Sequence, residues 1–404
     1  MTDMHDKPVD WLVVGGAPRS GTTALGAALN RSAEISLFHE YSSWTFFNSL
    51  DSIFGEERRL RKLTGFEDYA HLMPVQGRDE KALALAIFGR VFGKTPRYIG
   101  TKFPGHHAWP QPRYPDWIGF REIWITRNPY DVVISMLRKN HGEEATLAEA
   151  ETALHWWVSA WNHTMTRRAA SDFFHVFYDS LIVQQHVWRD AVAQFLEIDD
   201  FDFDDMKPVG NMPAREKFVR AGLEHCLPLL DVVAEPLGWF DTAEPGSQLG
   251  ERIGFPLPRG ITIDLRHGGN GYRYIQTGFY PAEEAGSWTQ GEDAELLFAP
   301  DCDRTGPLLI KVNIVWVAEQ QGRGRRIELF LNGARIFDTV VTLGTRNGAG
   351  AAYTIYLPSA DLRRGRAVSL GIRVEDPVNP SVAGVGDDDR NLGIMISEIE
   401  FADA

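Results

Sequence analysis

The stretch Trp11-Leu-Val-Val-Gly-Gly-Ala-Pro-Arg-Ser-Gly-Thr-Thr-Ala-Leu25 decides how the first half of the chain is read. Trp11 to Val14 is a short apolar run with two β-branched residues, the mark of a buried strand. Gly15, Gly16 and Pro18 break the extended pattern. After Thr22 and Thr23 the chain turns to small and aliphatic residues that favour a helix, Gly26 apart. A strand, a glycine loop and a helix start together aim backbone N–H groups and the positive end of a helix dipole at one spot. Such a spot wants an anion, most often a phosphate.

The spacing Gly16-x-x-x-x-Gly21 matches the opening of a nucleoside-triphosphate loop. The continuation departs from it, because Thr22 stands where that loop carries its lysine and the cation sits inside the loop as Arg19. Backbone N–H groups, the hydroxyls of Thr22 and Thr23 and a forked guanidinium suit a differently substituted phosphate. Gly-Ala-Pro-Arg-Ser-Gly-Thr-Thr resembles the 5′-phosphosulfate loop of the sulfotransferases that use 3′-phosphoadenosine 5′-phosphosulfate (PAPS), in their bacterial carbohydrate-type and tyrosylprotein-type forms. The resemblance makes Pro18, Arg19, Ser20, Gly21, Thr22 and Thr23 cofactor contacts. A Gly-Pro turn with no ligand and a P-loop kinase or NTPase are the competing readings of the loop alone.

A second segment extends the resemblance. Arg121-Glu-Ile-Trp-Ile-Thr126 reads as a strand running into Arg127-Asn-Pro, where Asn128 suits an N-cap and Pro129 the first helical position. Arg127 and Ser135, eight positions apart, resemble the arginine and serine that hold the 3′-phosphate of PAPS in that family. Tyr178, at the end of the predicted strand Phe173 to Tyr178, resembles the family's tyrosine near the adenine. A plain core tyrosine reads equally well. Asn211 to Lys217, with Arg215 and Lys217, stands where a glycine-rich closing segment is missing.

The chemistry implied is in-line transfer of a sulfonyl group to a hydroxyl or amine, with fixed cations stabilising the leaving phosphate. Arg19 and Lys102 are the candidate cations. Glu40 is the first candidate for the base that takes the acceptor's proton, with His39, His106 and His107 behind it. No metal is called for.

Along the chain, strands alternate with helices up to about residue 240, so the fold class expected is α/β: a P-loop-like parallel sheet flanked by helices. Ligands of such sheets sit beyond the carboxyl ends of the strands. Arg19, Glu40, Lys102 and Arg127 all follow predicted strands, which allows them one shared edge. Aromatic residues Tyr41, Trp44, Phe46 and Phe47, a helical pattern at Glu56 to Leu63 and a lid-like loop from Gly105 to Trp117 fill the intervals. One continuous helical region is expected at about Ala214 to Val233.

Beyond the linker-like Glu244-Pro-Gly-Ser-Gln248, helical periodicity gives way to short alternating runs with glycine turns, the pattern of an antiparallel β-sandwich. The domains expected are 1–243, binding PAPS, and 250–404, a carbohydrate-binding-like or structural sandwich. Tyr272, Tyr274, Tyr280 and Trp288 are its candidate glycan contacts. The run Asp387 to Asp389 reads as a solvated turn more readily than as a calcium site.

Composition narrows the partners. The chain of 404 residues has 41 Lys plus Arg against 55 Asp plus Glu, a net charge of −14, which disfavours nucleic acid and anionic membrane surfaces. No apolar run is long enough to span a bilayer, and the first residues lack the pattern of a secretory signal. Two distant cysteines, Cys226 and Cys302, imply no disulfide framework, so a cytoplasmic location is expected. A small-molecule or glycan acceptor, such as a glycolipid or polysaccharide precursor, is implied by the resemblance. A non-catalytic glycan-binding protein is the rival from another class.

Overall fold

The computed structural model describes residues 9–40, 43, 80–94, 96–108, 114, 116–142, 145–198, 203, 206, 212–235, 237, 252–318, 324–341, 351–384 and 386–403. The aromatics Tyr41, Trp44, Phe46 and Phe47, the pattern at Glu56 to Leu63, Asn211, the linker at Glu244 to Gln248 and much of the 105–117 loop lie outside the described residues. The chain divides into two compact units, one of Met1–Leu227 with Asp241–Gly246, the other of Pro228–Phe240 with Ser247–Ala404.

In the first unit the described elements run β1 (Val9–Gly16), α1 (Thr22–Leu29), β2 (Ile35–His39), α2 (Glu80–Phe92), β3 (Tyr98–Lys102), β4 (Ile118–Thr126), α3 (Pro129–Asn140), α4 (Leu147–Arg167), β5 (Phe173–Phe177), α5 (Tyr178–Val183), α6 (Gln185–Leu196) and α7 (Ala214–Arg220). The strands form one sheet in the order β2-β3-β1-β4-β5, and every pairing is parallel. This is the α/β architecture expected.

Alternation along β1 explains its two coats. Leu12 and Val14 pack with Leu25 and Leu29 of α1 and with Val192 and Leu196 of α6. Trp11 and Val13 point to the other face, into a cluster with Ala84, Ile87 and Phe88 of α2. Both sets are at most 5% exposed, so each strand residue removes most of its apolar surface from water, about 1.5–3 kcal/mol per large side chain. Gly100 allows β3 to lie beside β1, since a Cβ there would meet the Leu12 carbonyl oxygen at 1.9 Å.

Two helix expectations change. Tyr178 opens α5 instead of closing β5. The expected helix from Ala214 to Val233 is broken into α7, a 3₁₀ turn at Glu224–Cys226, and α8 (Leu227–Ala234). Gly222, at φ +68°, takes the left-handed conformation that ends a helix cheaply only for glycine.

The second unit holds β6 (Phe255–Leu257), β7 (Ile263–Asp264), β8 (Ile275–Thr277), β9 (Ser287–Gln290), β10 (Asp293–Pro300), β11 (Arg304–Val317), β12 (Arg325–Leu331), β13 (Ala334–Val341), β14 (Ala351–Leu362), β15 (Val368–Val374) and β16 (Leu392–Asp403). One sheet runs β13-β12-β15-β10-β6 with β8 beside β10, and the other β14-β11-β16-β7 with β9 beside β16. The pairings are antiparallel except β6 with β10. Phe298 of the first sheet meets Phe401 of the second, ring centroids 4.6 Å apart. Tyr274 lies 3% exposed in this unit, its hydroxyl donating to the Pro256 carbonyl at 3.2 Å. It is a core tyrosine and cannot be a glycan contact.

Candidate active site

The carboxyl ends of β1, β2, β3 and β4 bring the first unit's cations to one edge. After β1, the Ser20 amide and hydroxyl both donate to the Ala17 carbonyl, at 3.1 and 2.7 Å, which closes the loop tightly. Arg19 at φ +72° and Gly21 at φ +104° are both left-handed. Gly21 sits at the N-cap of α1, where no side chain caps the helix. The amides of the first turn therefore stay available to an anion.

Gly21 also sits against a ring. A Cβ at this position would lie 2.4 Å from Tyr178 Cδ2. The Arg127 guanidinium also packs on this ring, 4.8 Å from its centroid. Glycine loop, tyrosine and arginine thus form one stack, a cation–π contact included. Burial raises the Tyr178 phenol's pKa above its ordinary value.

Arg127 is 9% exposed. Its Nη2 donates to Asp131 at 3.1 Å, its carbonyl accepts from Trp157 Nε1 at 2.8 Å, and its buried Nε has no hydrogen-bond partner. The other oxygen of Asp131 accepts from Lys217 Nζ at 2.5 Å. One carboxylate therefore gathers two cations. Asn128 caps α3 by accepting from the Tyr130 amide at 3.0 Å, with Pro129 beginning the helix. Asp179, beside Arg127, is pushed up by burial, although Arg127 and the Asn128 amide favour its ionised form.

The two segments meet directly. Arg19 Nε donates to Ser135 Oγ at 3.0 Å, across 116 positions of chain.

A second group lies under α1. Lys102, at the end of β3, is 2% exposed. Its stem runs over Gly26, where a Cβ would approach Lys102 Cγ to 2.9 Å, and that close passage accounts for a glycine inside a helix. Its ammonium donates to Thr23 Oγ1 at 3.1 Å and to Glu40 Oε1 at 3.0 Å. Burial lowers the pKa of Lys102 more than Glu40 raises it. The hydrogen bond from Lys102 in turn holds the exposed Glu40 carboxylate below the ordinary carboxylate range. Partial burial and then Lys102 lower His39. Glu40 is at φ +58°, with its amide donating to the Lys102 carbonyl at 2.7 Å.

Of the residues expected at the site, Arg19 touches Ser135, Lys102 touches Thr23 and Glu40, and Arg127 touches Tyr178. Ser20 is buried as a loop brace, and Thr22 is 2% exposed. His107 is turned away: its Nε2 lies 2.8 Å from Ser159 Oγ and its ring packs on Trp124 and His163. Asp131, the carboxylate that pairs with Arg127 and Lys217, is a site residue that the sequence analysis does not single out. The signal was there in its position four residues after Arg127.

Fold and site define an α/β domain whose cations converge at the carboxyl edge of a parallel sheet. Residues 12–203 match the model of the sulfotransferase family. Family and fold together support a transferase. Among solved structures, the sulfotransferase domain of the Synechococcus PCC 7002 olefin synthase is 16% identical, with 50% of this chain and 77% of that chain covered and a TM-score of 0.29. A sulfotransferase domain from the curacin biosynthetic pathway is 15% identical, covering 48% and 75%, with a TM-score of 0.30. The C-terminal module of a laminarinase from Zobellia galactanivorans is 13% identical, covering 36% and 99%, with a TM-score of 0.22. No curated protein matches the chain. No described helix is long and apolar enough to cross a membrane. Among the described residues, no group of three or more His, Cys, Asp or Glu could hold a metal ion.

Proposed function

We propose that the first unit is a PAPS-dependent sulfotransferase. The observation that carries this reading is the Arg19–Ser135 hydrogen bond of 3.0 Å, which joins the two segments that resemble the 5′- and 3′-phosphate sites. The residues present fit such a donor. Arg127 keeps a buried Nε–H without a partner, the first turn of α1 lacks a side-chain cap, and Gly21 leaves its space to the Tyr178 ring.

In this reading Pro18 to Thr23 hold the 5′ end, Arg127 and Ser135 the 3′-phosphate, and Tyr178 the nucleobase side. When bound, the donor supplies an activated sulfonyl group on a phosphate leaving group. Arg19, Lys102 and the α1 amides stabilise the negative charge that grows there, the kind of preorganised contact that contributes most to such steps. Lys102 is already oriented by Thr23 and Glu40, so little reorganisation is needed. Glu40, ionised and exposed, takes the proton of the acceptor hydroxyl or amine, with His39 next to it in the chain. The acceptor proposed is a carbohydrate or glycolipid precursor, and residues 250–404 are proposed separately as a glycan-binding module with Tyr272, Tyr280 and Trp288 as its contacts. A cytoplasmic location is proposed with it.

Calorimetry with adenosine 3′,5′-bisphosphate tests the donor assignment. The unaltered chain is expected to bind in the micromolar range, and Arg127→Ala to bind more weakly by about 2–5 kcal/mol, the cost of truncating one partner of a buried charge pair. Equal affinity in both proteins would remove Arg127 from the site.

A further inference from the structure

Lys139 stands outside every role assigned so far. It lies in the last turn of α3, four residues after Ser135, and helical spacing puts both on one face of that helix. Ser135 touches Arg19 on the loop after β1, so this face looks toward the carboxyl edge of the sheet. The charge of Lys139 acts on both Glu40 and Lys102, the ion pair beyond the ends of β2 and β3. Lys139 itself is exposed, and among the described residues it has no hydrogen bond or ion pair. The other cations of this edge are engaged: Arg127 and Lys217 by Asp131, Lys102 by Glu40 and Arg19 by Ser135.

The negative end of the α3 dipole suits Lys139 and its neighbour Arg138 alike. It does not account for a second ammonium near Lys102, which like charge disfavours. The groups whose charge acts on Glu40 are Lys102, His39 and Lys139, with no acidic one beside them among the described residues. Two ammonium groups thus face one carboxylate, in a chain whose formal net charge is −14. The excess of positive charge is local, and it surrounds the candidate base.

We propose that Lys139 is an acceptor-binding residue, and that the acceptor is an acidic sugar with a carboxylate or phosphate close to the hydroxyl that receives the sulfonyl group. The inference rests on the donor reading above and on Glu40 as the base. An anionic acceptor is repelled by the ionised Glu40. Lys139 offsets that repulsion by holding the acceptor's anion, so the hydroxyl can reach the carboxylate that takes its proton. A lysine is a compact point charge on a flexible stem, and it serves either anion without a fixed geometry. A neutral sugar gains nothing from it.

The test is sulfonyl transfer from PAPS by the full chain to three matched acceptors: methyl β-D-glucoside, methyl β-D-glucuronide and the 6-phosphate of the glucoside. At low salt, kcat/KM should be about fivefold or more higher for an anionic acceptor than for the glucoside, and the preference should shrink as salt is added. Lys139→Gln should bring that ratio to about one, Lys139→Arg should keep it, and KM for PAPS should change by less than about twofold in both. A preference for the glucuronide or for the 6-phosphate supports the proposal, and the larger of the two tells a uronic from a phosphorylated precursor. An unaltered chain that uses neither anionic acceptor better than the glucoside, transfer to none of them included, would overturn the inference alone. So would a Lys139→Gln loss equal for charged and neutral acceptors, the mark of an action on Glu40, or a loss that falls on KM for PAPS. A chain that also ignores adenosine 3′,5′-bisphosphate in calorimetry would overturn the donor reading together with it.

Discussion

Gly21→Ala strikes the point where the loop, the tyrosine and the arginine stack. The substitution carries two costs. At φ +104° an L-residue is strained by about 1–2 kcal/mol. The new methyl would also stand 2.4 Å and 2.7 Å from two ring carbons of Tyr178, so the ring has to retreat by roughly 1 Å to reach ordinary contact. Its movement also disturbs Arg127, whose guanidinium packs on the ring 4.8 Å from the centroid. Overpacking of this kind costs about 1–3 kcal/mol, which brings the expected loss of stability to about 2–5 kcal/mol. Displacing the ring also shifts Arg127, so affinity for adenosine 3′,5′-bisphosphate should fall about tenfold or more. Denaturant titration and calorimetry measure the two effects separately. Tyr178→Ala in the same background separates the causes. The clash disappears with the ring while the backbone strain remains, so the double variant should lose less than the sum of the singles by about 1–3 kcal/mol. A Gly21→Ala protein with wild-type stability and affinity would refute the stack, as would strictly additive losses.

Lys102→Met keeps the stem over Gly26 and removes the ammonium, and it should lower donor turnover by about 100-fold or more while the fold stays intact. Release of adenosine 3′,5′-bisphosphate from PAPS, with circular dichroism beside it, checks both halves. Glu40→Gln should abolish most turnover yet leave bisphosphate affinity within about twofold, because a base acts on the acceptor and not on the nucleotide. Since Lys102 holds Glu40 below the ordinary carboxylate range, activity should persist as pH falls through 4.5, the ordinary value for a glutamate, and fail only below it. A pH–rate profile whose acid limb lies above that range would assign the base elsewhere. His175, bonded to Thr126 Oγ1 at 2.9 Å, has its pKa lowered by burial to about 3. The folded chain therefore stays unprotonated there while the unfolded chain takes up a proton below about pH 6.5. Stability should fall by up to about 1.4 kcal/mol per pH unit between those values, and His175→Gln should flatten that slope in acid denaturation.

The parts of the site that were legible in the sequence are those written in consecutive residues. Trp11 to Val14 is a strand because both of its faces are covered, and the loop that follows begins and ends on Gly16 and Gly21, where glycine permits the positive φ angles. Asn128-Pro129 marks the start of α3 by cap chemistry alone. Tyr178 shows where local reading fails. Its β-favouring neighbours Phe173 to Phe177 do form a strand, but the chain turns into a helix one residue early and swings the ring over Gly21, and no local propensity records that. The sheet order is non-local as well: β3 lies between β2 and β1, which brings Lys102 beside Thr23 and Glu40. The most consequential contact, Arg19 to Ser135, spans 116 positions and depends on β1 and β4 being paired parallel and in register, with Gly16 opposite Ile125. Each residue had been assigned to its own phosphate, and only that pairing shows that the two assignments share a hydrogen bond. Asp131 follows the same logic: its spacing from Arg127 is local, whereas Lys217, 86 positions away, arrives only through the packing of α7. Individual donors can be read from a motif, but their coupling is a property of the sheet that aligns them.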